Sequence, residues 1–337
     1  MKKKNPILEI FSIEKKPQRG LFAIEWVVVA YTVLTLLTVL FISTKLQHPD
    51  AMIWGRLRVL ACTLGLWLVY RLLPCGATRL LRILVQLALL GWWYPDTFEI
   101  NRVFPNLDHI FASAEQSVFG CQPALLFHQA MPWHWFSELM DLGYASYYPL
   151  IAMVVVYYFF CRYSEFERAS FIILASFFAY YVIYIYLPVT GPQYYYQAVG
   201  MSDIAQGIFP NLNDYFSTHA ERMISPGWKD GLFYHFVEQA HDAGERPTAA
   251  FPSSHVGVTT ILMLLAWHSG SKKLLLFMLP FYVLMCFATV YILAHYAIDA
   301  IAGLITGVAF YFLFLWLSKG MIIGKNARYL VYVAKNN

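Results

Sequence analysis

The chain has 337 residues, 59% of them hydrophobic and 13% charged, with a formal net charge of +4 and a mean hydropathy of +0.52. Such apolarity excludes an ordinary soluble protein, and so small a charge excludes a nucleic-acid footprint. Five cysteines (Cys62, Cys75, Cys121, Cys161 and Cys286) are odd in number and lack metal-ligand spacing, so neither a disulfide framework nor a thiolate metal site is expected.

In chain order, residues 1–20 form a polar lead carrying Lys2, Lys3, Lys4, Lys15, Lys16 and Arg19. The first apolar run follows this long start, unlike a cleaved signal peptide. Runs approaching the ~20 residues that span a bilayer then predict helices at 21–42, with Glu25 near its inner end, and at 54–73. A shorter one at 80–94 ends in Trp92-Trp93-Tyr94, an interfacial belt. The polar loop 95–142 contains Trp133-His134-Trp135-Phe136, expected to lie along the membrane surface. Further spans follow at 143–161 and 169–188. The longest loop, 189–250, is soluble in character and opens with Gly191-Pro192-Gln193-Tyr194-Tyr195-Tyr196. Spans at 253–268, 274–294 and 297–318 complete an expected all-α, polytopic membrane bundle of about eight spans, with no internal repeat.

Charge placement tests this topology. With the N-terminus inside, the inner segments hold the lead's six cations, Arg71, Arg79, Arg82, Arg162, Arg168, Lys272, Lys273, Lys319, Lys325, Arg328 and Lys335. The outer segments hold only Lys45, Arg56, Arg58, Arg102, Arg222, Lys229 and Arg246. The asymmetry follows the positive-inside rule with both termini cytoplasmic. It also brings the start of the 253–268 span, the turn before 297 and the Gly191 loop to the outer face. Compact tails without a sorting signal suggest a bacterial inner membrane.

Two motifs share that face. In Phe251-Pro252-Ser253-Ser254-His255-Val256-Gly257, Pro252 suits a first helical turn and the serines can cap it. Free N–H groups and the helix dipole there suit a phosphate, and His255 can carry a proton near neutral pH. In His295-Tyr296-Ala297-Ile298-Asp299 a second histidine and a carboxylate stand four apart, on one helix face. Two histidines, one carboxylate and an anion-binding helix start point to phosphoryl transfer. The histidines of the long loop (His219, His235, His241) fit no metal motif, and no metal or cofactor is expected. Asp96, Glu99, Arg102, Glu138 and Asp141 are candidates for headgroup recognition, with solvated loop charge as the plainer account.

The two motifs resemble the second and third signatures of the type-2 phosphatidic acid phosphatase superfamily, membrane enzymes with a six-helix core. The resemblance covers roughly residues 80–318. It implies a core of six spans there, with outer loops 95–142 and 189–250, after an N-terminal part (1–79) and before a cytoplasmic tail (319–337). It further implies His295 as the nucleophile on phosphorus, Asp299 as the group that orients it, and His255 as general acid and then base. Ser253, Ser254 and the N–H groups near Val256 and Gly257 would hold phosphoryl oxygens. A phosphohistidine intermediate requires no metal.

Departures matter equally. The family's first motif carries a Lys and an Arg-Pro pair, whereas this region reads Thr190-Gly191-Pro192-Gln193. The expected Ser-Arg pair before the third motif is Ala288-Thr289. Arg246 is the nearest outer cation in sequence and the candidate substitute, with Lys229 and Arg222 behind it. Gln193, Tyr194 and Tyr195 are weaker substrate-binding candidates. A missing clamp resembles the branch of inositol-phosphorylceramide and sphingomyelin synthases, which move a phospho-headgroup from a phospholipid to a lipid alcohol. The expected partners are therefore a phospholipid donor and a lipid acceptor such as a ceramide, the moved group including inositol phosphate as a candidate. Hydrolysis of a lipid phosphate or pyrophosphate is the alternative. A transporter or scaffold is disfavoured by the scarcity of mid-span charge, Glu25 apart. The reading requires the two imidazoles to lie within about a dozen ångströms of each other.

Overall fold

The computed structural model describes residues 10–319. Lys2, Lys3, Lys4, Lys325, Arg328 and Lys335 of the charge pattern, and the tail beyond 319, lie outside the described residues. The apolar runs become helices, several of them with Pro, Ser or Gly at an end. The first three are α1 (Ala23–Phe41), α2 (Pro49–Leu72, with proline in its first turn) and α3 (Gly76–Ala88). The segment expected to belong to a loop is largely helical: α4 (Leu90–Asn101), α5 (Asp108–Phe119), α6 (Pro123–Ala130) and α7 (His134–Ala145). Then come α8 (Tyr147–Cys161), α9 (Phe166–Tyr186), the short α10 (Pro192–Val199) and α11 (Met201–Ala205), and α12 (Leu232–Gly244). The last three are α13 (Ser254–His268), α14 (Lys272–Tyr291) and α15 (Ala297–Leu317).

Five helices among the described residues are long and apolar enough to cross a membrane: Ala23–Phe41, Pro49–Leu72, Tyr163–Tyr186, Lys272–Tyr291 and Ala297–Leu317. The pair α7 and α8, bent by 45° between them, passes the same test jointly. Of the eight expected spans, 253–268 is a shorter apolar helix, and 80–94 is divided at Leu89 between α3 and α4. The spanning helices carry large apolar side chains outward, such as Leu276, Phe277, Ile305, Phe312 and Trp316. Only a lipid environment makes so much exposed apolar surface favourable. The protein is a polytopic helical membrane protein.

The chain divides into two units. Among the described residues, the first takes in 10–93, Met153–Phe178 and 313–319. Its interior is unexpectedly polar. Glu25 and Arg82 are fully buried and paired, the Arg82 Nε donating to Glu25 Oε1 at 2.7 Å. Arg79 bridges Glu14 (2.8 Å) and Glu167 (3.3 Å). Arg56, also fully buried, donates to Thr35 and to the Met52 carbonyl and lies over the Trp93 ring at 5.5 Å. Trp93 is therefore a core residue held by Arg56 and Tyr31, not part of an exposed belt. Breaking such a buried pair on one side leaves an uncompensated charge, at a cost of about 3–5 kcal/mol.

The second unit, Tyr94–Ala152 with Ala179–Phe312, contains every candidate site residue. Its helices α13 and α15 cross through glycines. A Cβ on Gly307 would meet the Gly257 carbonyl at 2.5 Å and its Cα at 3.0 Å, and one on Gly257 would meet the Gly303 carbonyl at 2.9 Å. This close crossing brings the starts of α13 and α15 side by side.

Candidate active site

At the start of α13 the helix begins one residue later than the sequence suggests. Ser253 is the cap, its Oγ accepting the Val256 N–H at 3.4 Å. Pro252 lies before the cap, not in the first turn, and follows a cis peptide bond. The Ser253 N–H donates to the Asp299 main-chain carbonyl at 3.0 Å, tying the two motifs through backbone. The Val256 and Gly257 N–H groups both bond Ser253, the latter at 2.9 Å, so the cap itself occupies two donors expected to face a phosphate. Gly257 is needed instead for the helix crossing. The Ser254 N–H donates to the Tyr184 hydroxyl at 3.0 Å.

His255 stands in this first turn between two aromatic rings, Tyr144 (ring centroids 4.5 Å apart) and Tyr147 (4.4 Å). His295 lies in the turn between α14 and α15, just after Leu293 in a left-handed conformation (φ +67°). The two imidazole centroids are 5.7 Å apart, well inside the limit the sequence reading set.

His295 Nδ1 lies 2.7 Å from the Ala250 carbonyl oxygen and 3.7 Å from Asp299 Oδ2. A carbonyl can only accept, so the proton sits on Nδ1 and the lone pair is on Nε2. Ala250 thus shares the orienting role expected of Asp299 alone. Asp299 Oδ2 accepts the Tyr296 N–H at 2.9 Å, and its buried Oδ1 has no hydrogen-bond partner among the described residues. Burial lowers the His295 pKa to about 4, although the Ala250 carbonyl and the Glu245 charge pull the other way. At neutral pH His295 is an uncharged imidazole with a free ring nitrogen.

The remaining sequence candidates divide. Gln193 joins the site: its N–H donates to the Leu293 carbonyl (2.9 Å) and its Nε2 to Glu245 Oε1 (2.7 Å). Tyr194 and Tyr195 are buried core residues. Tyr195 turns away, its hydroxyl donating to the Pro210 carbonyl at 2.8 Å. Arg246 is exposed, with its guanidinium on the neighbouring Glu245 carbonyl at 3.0 Å. Arg222 is engaged with Glu238 (2.9 Å) and Asp242 (3.0 Å), so it does not serve as a free cation.

Sequence reasoning missed the groups that support the site. Asp108 and Glu115, with Ala112 between them, share one buried face of α5. Asp108 accepts the Thr190 and Gly191 N–H groups and the Tyr296 hydroxyl. Glu115 accepts the Ile298 N–H at 3.2 Å at the start of α15; burial, reinforced by the Asp299 charge, raises its pKa to about 8. The 108–112–115 spacing is helical and could have signalled them.

His241, weighed in the sequence only as a metal ligand, is instead a partner of carboxylates. It lies between Glu238 (3.6 Å) and Glu245 (3.0 Å) on α12 and the residue that ends it. Burial alone would lower its pKa, but the two carboxylates outweigh this and raise it to about 9. A group raised from 6.5 contributes stability that is complete below pH 6.5 and is lost as pH rises through about 9. The melting-temperature advantage of the wild type over His241→Gln is therefore expected to shrink between pH 6.5 and 9. An advantage that stays constant across this range would show that folding does not raise the His241 pKa. Among the described residues, no group of three or more His, Cys, Asp or Glu side chains is arranged to hold a metal ion.

The fold and the paired histidines define a helical membrane protein built around a two-imidazole, one-carboxylate centre. A family profile described as the PAP2 superfamily matches residues 109–313, more than half of the chain, and the protein belongs to that superfamily. It is a lipid enzyme of the general phosphatase and phosphotransferase type. No curated protein and no solved structure gave a match.

Proposed function

We propose that this protein transfers a phospho-headgroup from a phospholipid to a lipid alcohol such as a ceramide, through a phosphohistidine on His295. The observation that carries the reading is the pair of imidazoles 5.7 Å apart, with Arg222 held by Glu238 and Asp242 and Arg246 exposed on the Glu245 carbonyl. His295 Nε2 attacks phosphorus while His255 protonates the departing oxygen; His255 then takes the proton of the acceptor alcohol as it attacks the phosphohistidine. A phosphorus within the ~3–3.5 Å attack distance of one ring would leave its ester oxygen within reach of the other. Asp299 and the Ala250 carbonyl hold the His295 ring. Ser253, Ser254 and Gly257 shape the helix start beside the phosphoryl group, and Arg246 remains a candidate cation at its exposed edge. A phosphodiester carries one negative charge, so it needs fewer cations than a monoester. Inositol phosphate is one candidate for the group moved. The site would open on the outer face of a bacterial inner membrane, with both termini cytoplasmic.

Hydrolysis, with water as acceptor, would use the same phosphoenzyme. Supplying a labelled phosphodiester lipid with and without a ceramide-like alcohol separates the two. Transfer predicts a labelled product lipid that appears only with the alcohol. Release of the headgroup phosphate at the same rate with or without alcohol would exclude transfer and leave hydrolysis.

A further inference from the structure

We propose that the Glu245 carboxylate sets the charge of the phosphate this site accepts, turning away phosphomonoester dianions in favour of phosphodiester monoanions. This rests on the phosphoryl-transfer reading above.

Glu245 ends α12, five residues before Ala250, whose carbonyl holds His295. Its Oε1 accepts from Gln193 Nε2 at 2.7 Å, and Gln193 is fixed to the His295 turn by its own N–H on the Leu293 carbonyl. Its Oε2 lies 3.0 Å from His241 Nε2. The His241 ring meets Tyr144 at 5.7 Å, and Tyr144 stacks on His255. The carboxylate is thus tied to both imidazoles by separate routes, and its charge acts on both. Burial would raise its pKa, but His241 and Gln193 outweigh this and lower it to about 2, so it is ionised at neutral pH.

The surrounding charges do not cancel it. Within the ion-paired cluster Arg222 and His241 are cations and Glu238, Asp242 and Glu245 are carboxylates, which leaves one net negative charge; the neighbouring Arg246 is exposed, with its guanidinium on the Glu245 main-chain carbonyl and its charge screened by solvent. Gln193 adds a buried Oε1, an acceptor with no hydrogen-bond partner among the described residues. Acceptors and net negative charge thus stand where a monoester dianion requires donors and cations. A second negative charge on the substrate phosphate meets repulsion at Glu245 that a monoanion meets in lesser degree.

The test compares para-nitrophenyl phosphate with methyl para-nitrophenyl phosphate, which share a leaving group and differ by one charge. Purified wild type, Glu245→Gln, Glu238→Gln and His295→Ala are assayed on both. Glu245→Gln is expected to raise kcat/KM for the monoester relative to the diester by about tenfold, on the order of the effect of one nearby unit charge. Glu238→Gln, which also touches His241 but faces Arg222, is expected to leave that ratio near the wild-type value; a structural effect on α12 would move both variants alike. If His295→Ala turns over both esters like wild type, the phosphoryl-transfer reading falls and this one with it. If His295→Ala is inactive and Glu245→Gln keeps the wild-type ratio, the Glu245 proposal alone is overturned.

Discussion

Replacing His295 with alanine is expected to lower turnover by about 10,000-fold or more while the protein still folds and inserts. The side chain is buried, but its ties among the described residues are the 2.7 Å bond to the Ala250 carbonyl, the looser approach to Asp299 and the ring contact with His255. Losing the first leaves one buried acceptor unsatisfied, worth about 1–3 kcal/mol, which a protein of this size tolerates. In the proposed mechanism, losing His295 removes the nucleophile and with it the covalent route to product. His255 gives the contrast. In its proposed role as general acid it matters most when the leaving oxygen is a poor leaving group. His255→Ala should thus be far less damaging with a para-nitrophenyl ester than with a lipid ester, whereas His295→Ala should be equally damaging with both. Wild type briefly mixed with labelled donor should also yield an acid-labile, base-stable label that His295→Ala never shows. An active His295→Ala, or a label that survives the substitution, would remove His295 from the chemistry.

The difference between what could and could not be read from the chain is physical. His255, His295 and Asp299 were legible because each sits at a helix start with a local pattern: a Ser cap before one histidine, an i, i+4 carboxylate after the other. Their meeting was legible only through topology, since charge asymmetry placed both helix starts on one face. What escaped notice lies in the segments between spans. Asp108, Glu115 and Glu245 sit in stretches polar enough to pass for solvated loop, and only tertiary packing buries or partners them. The Ala250 carbonyl could not have been found from residue type, because any residue carries one. Arg56 and Arg82 were counted as loop cations that orient the chain; both are fully buried, and Arg82 is paired with the very glutamate noticed as an isolated charge. Pro252 lies just before the cap and not in the first turn because proline fits both a first helical turn and the extended residue before a cap.

Asp108→Ala is the second substitution expected to act strongly, though it lies outside the chemistry. Oδ2 of Asp108 accepts the Thr190 N–H (2.7 Å), the Thr190 hydroxyl (2.9 Å) and an Asn106 amide N–H (2.6 Å). Oδ1 accepts the Gly191 N–H (2.9 Å) and the Tyr296 hydroxyl (3.0 Å). One fully buried carboxylate therefore fastens the Gly191 loop to the residue that follows His295. Gly191 has little freedom to compensate: its φ is +91°, and a Cβ there would meet the Ala294 carbonyl at 2.7 Å. The loop and the histidine turn are pressed together with Asp108 as their common acceptor. Alanine would leave several buried donors without partners at about 1–3 kcal/mol each, lowering the melting temperature by on the order of 10 °C. The His295 ring would also lose registry, and a displacement of about 1 Å can cost on the order of 100-fold in rate. Asparagine keeps the shape and one good acceptor, so Asp108→Asn should recover much of the stability while kcat stays below wild type. Thermal melts and kcat for the two variants decide the matter. If Asp108→Ala melts and turns over like wild type, the loop and the histidine turn are held by packing alone.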